Sequence, residues 1–338
     1  MVRKLIASAA VAVTALVGGV AQADTNYKPL EKDPTELNFG IISTESTSNL
    51  KEQWVPLMKD LETALGMKVN PFFAPDYAGV IEAMRFGKVH LAWFGNKSGM
   101  EAVDRSGGEV FAQTSKADGS QGYYSHIITH VDNKDINSLE DIFKCDKSLN
   151  FGIGDPNSTS GFLVPSYYVF AQNGVDPKEC FKTVRNANHE TNLMATANKQ
   201  VHVAANNSEQ IGRSLKKAPE AASKVKVIWT SPLIPSDPMI YRKDMSKELK
   251  SRIKAFFLGY GRLGDVAHAK EVLGGISDGQ GLFMESNNTQ LYPVRQLALF
   301  KNKLKIEGNE GLAADDKEKK LLAINNKLSD LKVLVAAQ

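Results

Sequence analysis

The chain has 338 residues and a formal charge of +3, with basic and acidic side chains almost in balance. That length exceeds what one compact core usually holds and suits two domains. No basic tract with interleaved aromatics occurs, which argues against a nucleic-acid partner, and no low-complexity segment interrupts the chain.

Arg3 and Lys4 open the chain, an apolar run follows from Leu5 to Val20, and Ala21-Gln22-Ala23 offers the small-x-small pattern that signal peptidase reads. The run is shorter than the ~20 residues needed to cross a bilayer, and no cysteine stands at the cleavage point. Residues 1–23 are therefore expected to be a signal peptide cleaved after Ala23, with the mature chain folding outside the cytosol.

Glu36–Ile42 reads as a buried strand, and Leu50, Trp54, Leu57, Met58, Leu61 and Leu65 give helical spacing up to Gly66. A strand at Val69–Phe73, a helix at Tyr77–Phe86 and a strand at Val89–Phe94 follow. A second block starts near Tyr123, with strands at Ser125–Thr129, Leu149–Gly154, Thr183–Asn186, Val201–Ala205 and Val225–Thr230. Its helices are expected at Leu139–Phe143, Gly161–Gln172 and Thr191–Lys199. Beyond the proline-containing stretch Ser231–Pro238 the chain becomes mainly helical, with Met239–Arg242 returning to the first sheet.

This alternation predicts an α/β protein of two lobes, each a mostly parallel sheet flanked by helices, with a ligand cleft between them. We place lobe 1 at 36–121 plus 238–300, lobe 2 at 122–237, and a C-terminal helical extension at 301–338. In that extension Leu321, Ile324, Leu328, Leu331 and Val335 recur at steps of three and four. Such a stripe fits either packing on its own lobe or pairing two copies as a homodimer. Cys145 and Cys180 each precede a predicted strand, which fits one disulfide at a sheet edge or two free thiols.

The segment Phe151-Gly152-Ile153-Gly154-Asp155-Pro156-Asn157-Ser158-Thr159-Ser160-Gly161-Phe162 carries the most chemistry. A strand ends there and a helix begins among hydroxyl residues. Free N–H groups and hydroxyls at Ser158, Thr159 and Ser160 suit an anion, with Gly161 allowing close approach; the same residues also suit an ordinary helix cap. The segment contains no Arg or Lys, so neutral dipoles would hold any anion. Glu209 follows a strand end, where ligands sit in open α/β sheets, and Asp237 lies at the return between lobes. The two carboxylates suit an ammonium group or an exposed surface. Tyr77 and Tyr123 fit a cleft wall, Trp93 reads as core, and His189 reads as an oxyanion donor or a helix cap. No nucleophile elbow, phosphate-binding loop or H-E-x-x-H motif occurs, so neither an enzyme nor a metal site is expected. Ser214-Leu215-Lys216-Lys217 matches S-x-x-K without its companion motifs.

Longer strings carry a resemblance. Leu37-Asn38-Phe39-Gly40-Ile41-Ile42-Ser43-Thr44-Glu45-Ser46, Phe72-Phe73-Ala74-Pro75-Asp76-Tyr77-Ala78-Gly79, the stretch Asp155–Pro165, Ser231-Pro232-Leu233-Ile234-Pro235 and Pro293–Phe300 resemble the phosphonate-binding periplasmic proteins of phosphonate ABC transporters. The likeness spans roughly residues 36–300 and implies a type II periplasmic-binding fold that closes over its ligand. It implies a periplasmic location, an inner-membrane ABC permease as partner and no cofactor. It implies that Ser158, Thr159, Ser160, Tyr77, Tyr123 and His189 hold phosphonate oxygens. Glu209 and Asp237 would take the amine of a ligand such as 2-aminoethylphosphonate, an inorganic oxyanion such as phosphate or phosphite being the alternative, with an enzyme on the same scaffold a remoter one. Phe94 and His202 depart from the family pattern and are expected to alter the pocket rim.

Overall fold

Apolar runs become strands β1 (Leu37–Ile41), β2 (Val69–Phe73), β3 (Leu91–Trp93), β4 (Gly108–Gln113), β5 (Gly122–Tyr123), β6 (Ser125–His130), β7 (Asn150–Ile153), β8 (Thr183–Asn186), β9 (Val203–Asn207), β10 (Val225–Thr230), β11 (Ile234–Pro235), β12 (Pro238–Arg242) and β13 (Met284–Glu285). The structure, a computed structural model, describes residues 27–277 and 279–336. The expected signal peptide lies outside the described residues.

The strands form two main sheets, ordered β13-β4-β12-β3-β1-β2 and β10-β6-β9-β7-β8. Both are mixed, where the alternation predicted mostly parallel ones. In the first, β1 runs parallel to β2 and β3, whereas β12 is antiparallel to β3 and β4, and β13 to β4. In the second, β7 is parallel to β8 and β9, while β6 is antiparallel to β9 and β10. The reason is connectivity. Helical crossovers force parallel neighbours, but strands that enter or leave a lobe by a direct crossing are free to run the other way.

Short β5 and β11 pair antiparallel, Tyr123 opposite Ile234. They tie the two crossing segments into one ribbon beside the cleft. Each lobe has its own aromatic core. Phe39 meets Trp54 and Phe257 edge-on in the first; Phe151 stacks on Phe181 and meets Phe170 edge-on in the second. Each such buried side chain contributes about 1.5–3 kcal/mol to the stability of its own lobe.

Local signals explain the element ends. Ser46 accepts a bond from Asn49 N, so the first helix starts at Thr47, ahead of its apolar periodicity, and ends at Gly66 with φ 58°. A helix at Asn96–Arg105 and strand β4 went unread because neither has a clean apolar period. Cys145 and Cys180 are disulfide-bonded beside the β7–β8 edge. The C-terminal helix Ala314–Ala336 lies against helix Tyr292–Glu307. Leu331 is buried and Leu321, Ile324 and Leu328 are half-buried, but Val335 is exposed and falls outside the expected stripe. Among the described residues no helix is long and apolar enough to cross a membrane.

Candidate functional site

The turn after β7 is folded by its own carboxylate. Asp155 accepts from Asn157 N at 2.7 Å and, across the cleft, from Tyr77 N at 3.2 Å. Ser158 Oγ then caps the next helix by accepting from Gly161 N at 3.0 Å. Thr159 Oγ1 accepts from Lys97 N of the opposite lobe at 2.8 Å, and Ser160 Oγ accepts from Asn207 Nδ2 at 3.0 Å. All three residues are 2% exposed. Each hydroxyl oxygen is thus fixed as an acceptor, which leaves its proton to donate elsewhere. The turn is a helix cap and a donor cluster at the same time.

The helix that follows differs from the expected one. Thr159–Leu163 and Ser166–Phe170 are π-wound, with a 3-10 turn at Ala171–Asn173. Pro165, between them, has no N–H to give the α pattern. The backbone stays helical without a break from Thr159 to Asn173, so its free N–H groups and the hydroxyls together can stabilise an anion. Gly161 also has another reason to be glycine. A Cβ there would lie 3.0 Å from Gly154 Cα and 3.0 Å from His189 Cε1. Close packing, not ligand approach, excludes a side chain.

His189 opens the next helix, but Asn188 caps it, through a bond from Thr191 N. Asn207 Oδ1 accepts from Gln210 N at 2.7 Å, which leaves its Nδ2 as a donor 3.2 Å from His189 Nε2. That places the ring proton on Nδ1, a buried atom with no hydrogen-bond partner among the described residues. Nε2 lies 3.4 Å from both Ser158 Oγ and Ser160 Oγ. Burial first, then the Arg213 charge, lowers the His189 pKa to about 3. The ring is neutral and orients the serine hydroxyls.

Opposite stand the acids. Asp237 follows the β5–β11 ribbon, is 6% exposed, and accepts from Tyr123 Oη at 3.0 Å. Burial, and after it Glu209, pushes its pKa well above the carboxylate range. Glu209, half-buried, is raised by burial against the pull of Arg213 and Lys116. Burial also drives the Tyr77 and Tyr123 phenols upward, with Asp155 and Asp237 respectively as the next causes, so both stay neutral donors. Gly95 is wedged between the two sides: a Cβ there would lie 3.3 Å from Thr159 Oγ1 and 3.8 Å from Asp237 Oδ1.

The structure thus gathers Tyr77, Tyr123, Ser158, Thr159, Ser160, His189, Glu209 and Asp237 around one interlobe cavity. Trp93, read as core, is buried against Trp54 and lines this cavity as well. Thr44, Asn207 and Arg213 also line it and were missed. Arg213 sits on a helix that reads as polar surface, and only the meeting of the lobes buries it. Phe94 lies in the lobe 1 core and His202 accepts from Asn150 N at 3.0 Å, so neither borders the cavity as expected. Among the described residues no cluster of His, Cys, Asp and Glu is arranged to hold a metal ion.

Residues 39–289 match the family model of the phosphonate ABC transporter periplasmic substrate-binding proteins. The chain belongs to this family. It is 52% identical over 301 residues to the phosphonates-binding periplasmic protein of Escherichia coli K12, covering 89% of this chain and 87% of that one. It is 28% identical to a phosphate-import protein of Mycolicibacterium smegmatis, over 75% and 80% of the two chains. The crystal structure of a binding-protein component of an ABC phosphonate transporter from Pseudomonas aeruginosa superposes with a TM-score of 0.86. That protein is 50% identical, over 90% of this chain and 99% of the other. Members of this family are substrate-binding components of transporters, not enzymes.

Proposed function

We propose that this chain captures an aminoalkylphosphonate, 2-aminoethylphosphonate being the best fit, in the periplasm after loss of residues 1–23, and delivers it to an inner-membrane ABC permease. The observation that carries the ligand reading is the pairing of opposites in one buried cavity. Three hydroxyls stand on one side and two carboxylates, Glu209 and Asp237, on the other. Thr159 and Tyr77 supply neutral donors to the phosphonate oxygens, and Ser158, Ser160 and Tyr123 join them as their protons turn from His189 Nε2 and Asp237 to the ligand. The carboxylates take the ammonium group. Inorganic phosphate or phosphite brings no cation and would set its charge against both acids.

Charge-assisted hydrogen bonds of this kind contribute about 1.5–3 kcal/mol each. Glu209→Ala is therefore expected to weaken 2-aminoethylphosphonate binding at least about tenfold, and methylphosphonate binding much less. Calorimetric titration of both ligands tests this; equal losses would remove the amine role.

A further inference from the structure

Arg213 has no place in the ligand reading above, yet it is buried at the same cavity. It is 8% exposed, projects from helix Ser208–Lys217 of lobe 2, and lines the cavity together with Glu209 and Asp237. Its Nε meets Glu45, which follows β1 in lobe 1 and is 4% exposed. Both partners are held from behind. Gln210 Oε1 accepts from Arg213 Nη2 at 3.1 Å, and Gln53 Nε2 donates to Glu45 Oε2 at 3.1 Å. The pair spans the cleft, so it exists only while the lobes are together.

Counting charges shows what the pair does. Glu45, Glu209 and Asp237 bring three carboxylates to this side of the cleft, and Arg213 brings a single guanidinium. Lys116 acts on Glu209 from a half-buried position nearer the surface. Glu45 neutralises Arg213, which leaves Glu209 and Asp237 short of a cation. An Arg free of Glu45 would fill that deficit itself and draw in any oxyanion. We propose that Arg213 and Glu45 together determine specificity: Glu45 cancels the guanidinium across the closed cleft, so that only a ligand bringing its own cation completes the charge balance. The Arg213 charge pulls the pKa values of Glu209, Asp237 and His189 downward, which agrees with a shared electrostatic centre.

The inference rests on the aminoalkylphosphonate reading and is tested by comparing 2-aminoethylphosphonate with methylphosphonate in calorimetric titrations. Glu45→Gln releases the Arg213 charge, and the preference for the amine-bearing ligand should fall at least about tenfold. Arg213→Met leaves Glu45 uncancelled; both affinities should fall, but the preference for the amine should rise about threefold or more. The double variant removes both charges and should return the preference close to the wild-type value. Arg213→Lys, which keeps the charge with less disturbance, should hold the preference while lowering affinity. A pair that serves only to hold the fold would lower both affinities by one common factor in each variant, and that result overturns the proposal. If the wild type binds neither phosphonate, the ligand reading itself falls and this inference falls with it. The two failures are therefore distinct.

Discussion

At the scale of single residues, the cleft sets stability against binding. Asp237 is buried, and its carboxyl is pushed upward by burial and by Glu209. An acid whose pKa is higher folded than unfolded holds its proton more tightly in the native state. Its ionisation is free of cost below the unfolded pKa and increasingly destabilising as the pH rises through the folded one. Asp237→Asn keeps the shape and still accepts from Tyr123. It should therefore stabilise the ligand-free protein at neutral pH by about 1 kcal/mol, while losing the ammonium site. Thermal melting beside calorimetry checks both halves; a lower Tm would show that the carboxylate is not strained by its burial. His189 carries the opposite sign: with its pKa lowered to about 3, it costs stability as the pH falls through the ordinary histidine range. Residues of this kind were legible where local chemistry announces them. The Ser158-Thr159-Ser160 run follows a strand, and Glu209 follows another. Arg213 and Glu45 were not, because each looks like surface in its own segment and acquires its meaning only across the cleft.

At the scale of elements, apolar runs and helical repeats located the β1–β3 unit and most of lobe 2 directly. Direction was harder to see, since pairing sense depends on where a strand crosses between lobes. The turn at Gly95 shows how such elements serve the site. It starts helix Asn96–Arg105, whose Lys97 N bonds Thr159 Oγ1 of the other lobe. The space left by the missing side chain admits the Thr159 hydroxyl and the Asp237 carboxylate together. Gly95 has φ −76°, a backbone conformation open to any residue, so a larger side chain should cost folding little. Gly95→Val is expected to keep the Tm within a few degrees and to prevent full closure. Small-angle scattering with saturating 2-aminoethylphosphonate should then fail to show the contraction expected of the wild type. Normal contraction would mean that the lobes have slack at this point.

At the scale of the whole molecule, capture in this reading is an equilibrium between separated and joined lobes; polar contacts join them around the cavity, and an apolar patch of Val164, Tyr168 and Leu297, with Tyr167 stacked on Phe300, joins them beside it. The ribbon of β5 and β11 lies beside the cleft, joining the crossing segments. At the rim, the Glu190 carboxylate of lobe 2 accepts from Ser46 N at 2.6 Å and from Asn49 Nδ2 at 2.7 Å. It thus docks on the N-terminus of the lobe 1 helix Thr47–Leu65, where negative charge is favoured. Glu190 is absent from the residues lining the cavity, so it acts on closing alone and on every ligand alike. A ligand's affinity is scaled by the stability of the closed state it requires. Glu190→Ala should accordingly weaken 2-aminoethylphosphonate and methylphosphonate by the same factor, about fivefold for a loss of ~1 kcal/mol, chiefly through faster dissociation. Stopped-flow release rates for the two ligands give the answer. This common factor is the signature of a contact that holds lobes together, whereas the Arg213–Glu45 pair must move the two ligands apart. Unequal losses for Glu190→Ala would mean that the rim, too, senses what lies in the cavity.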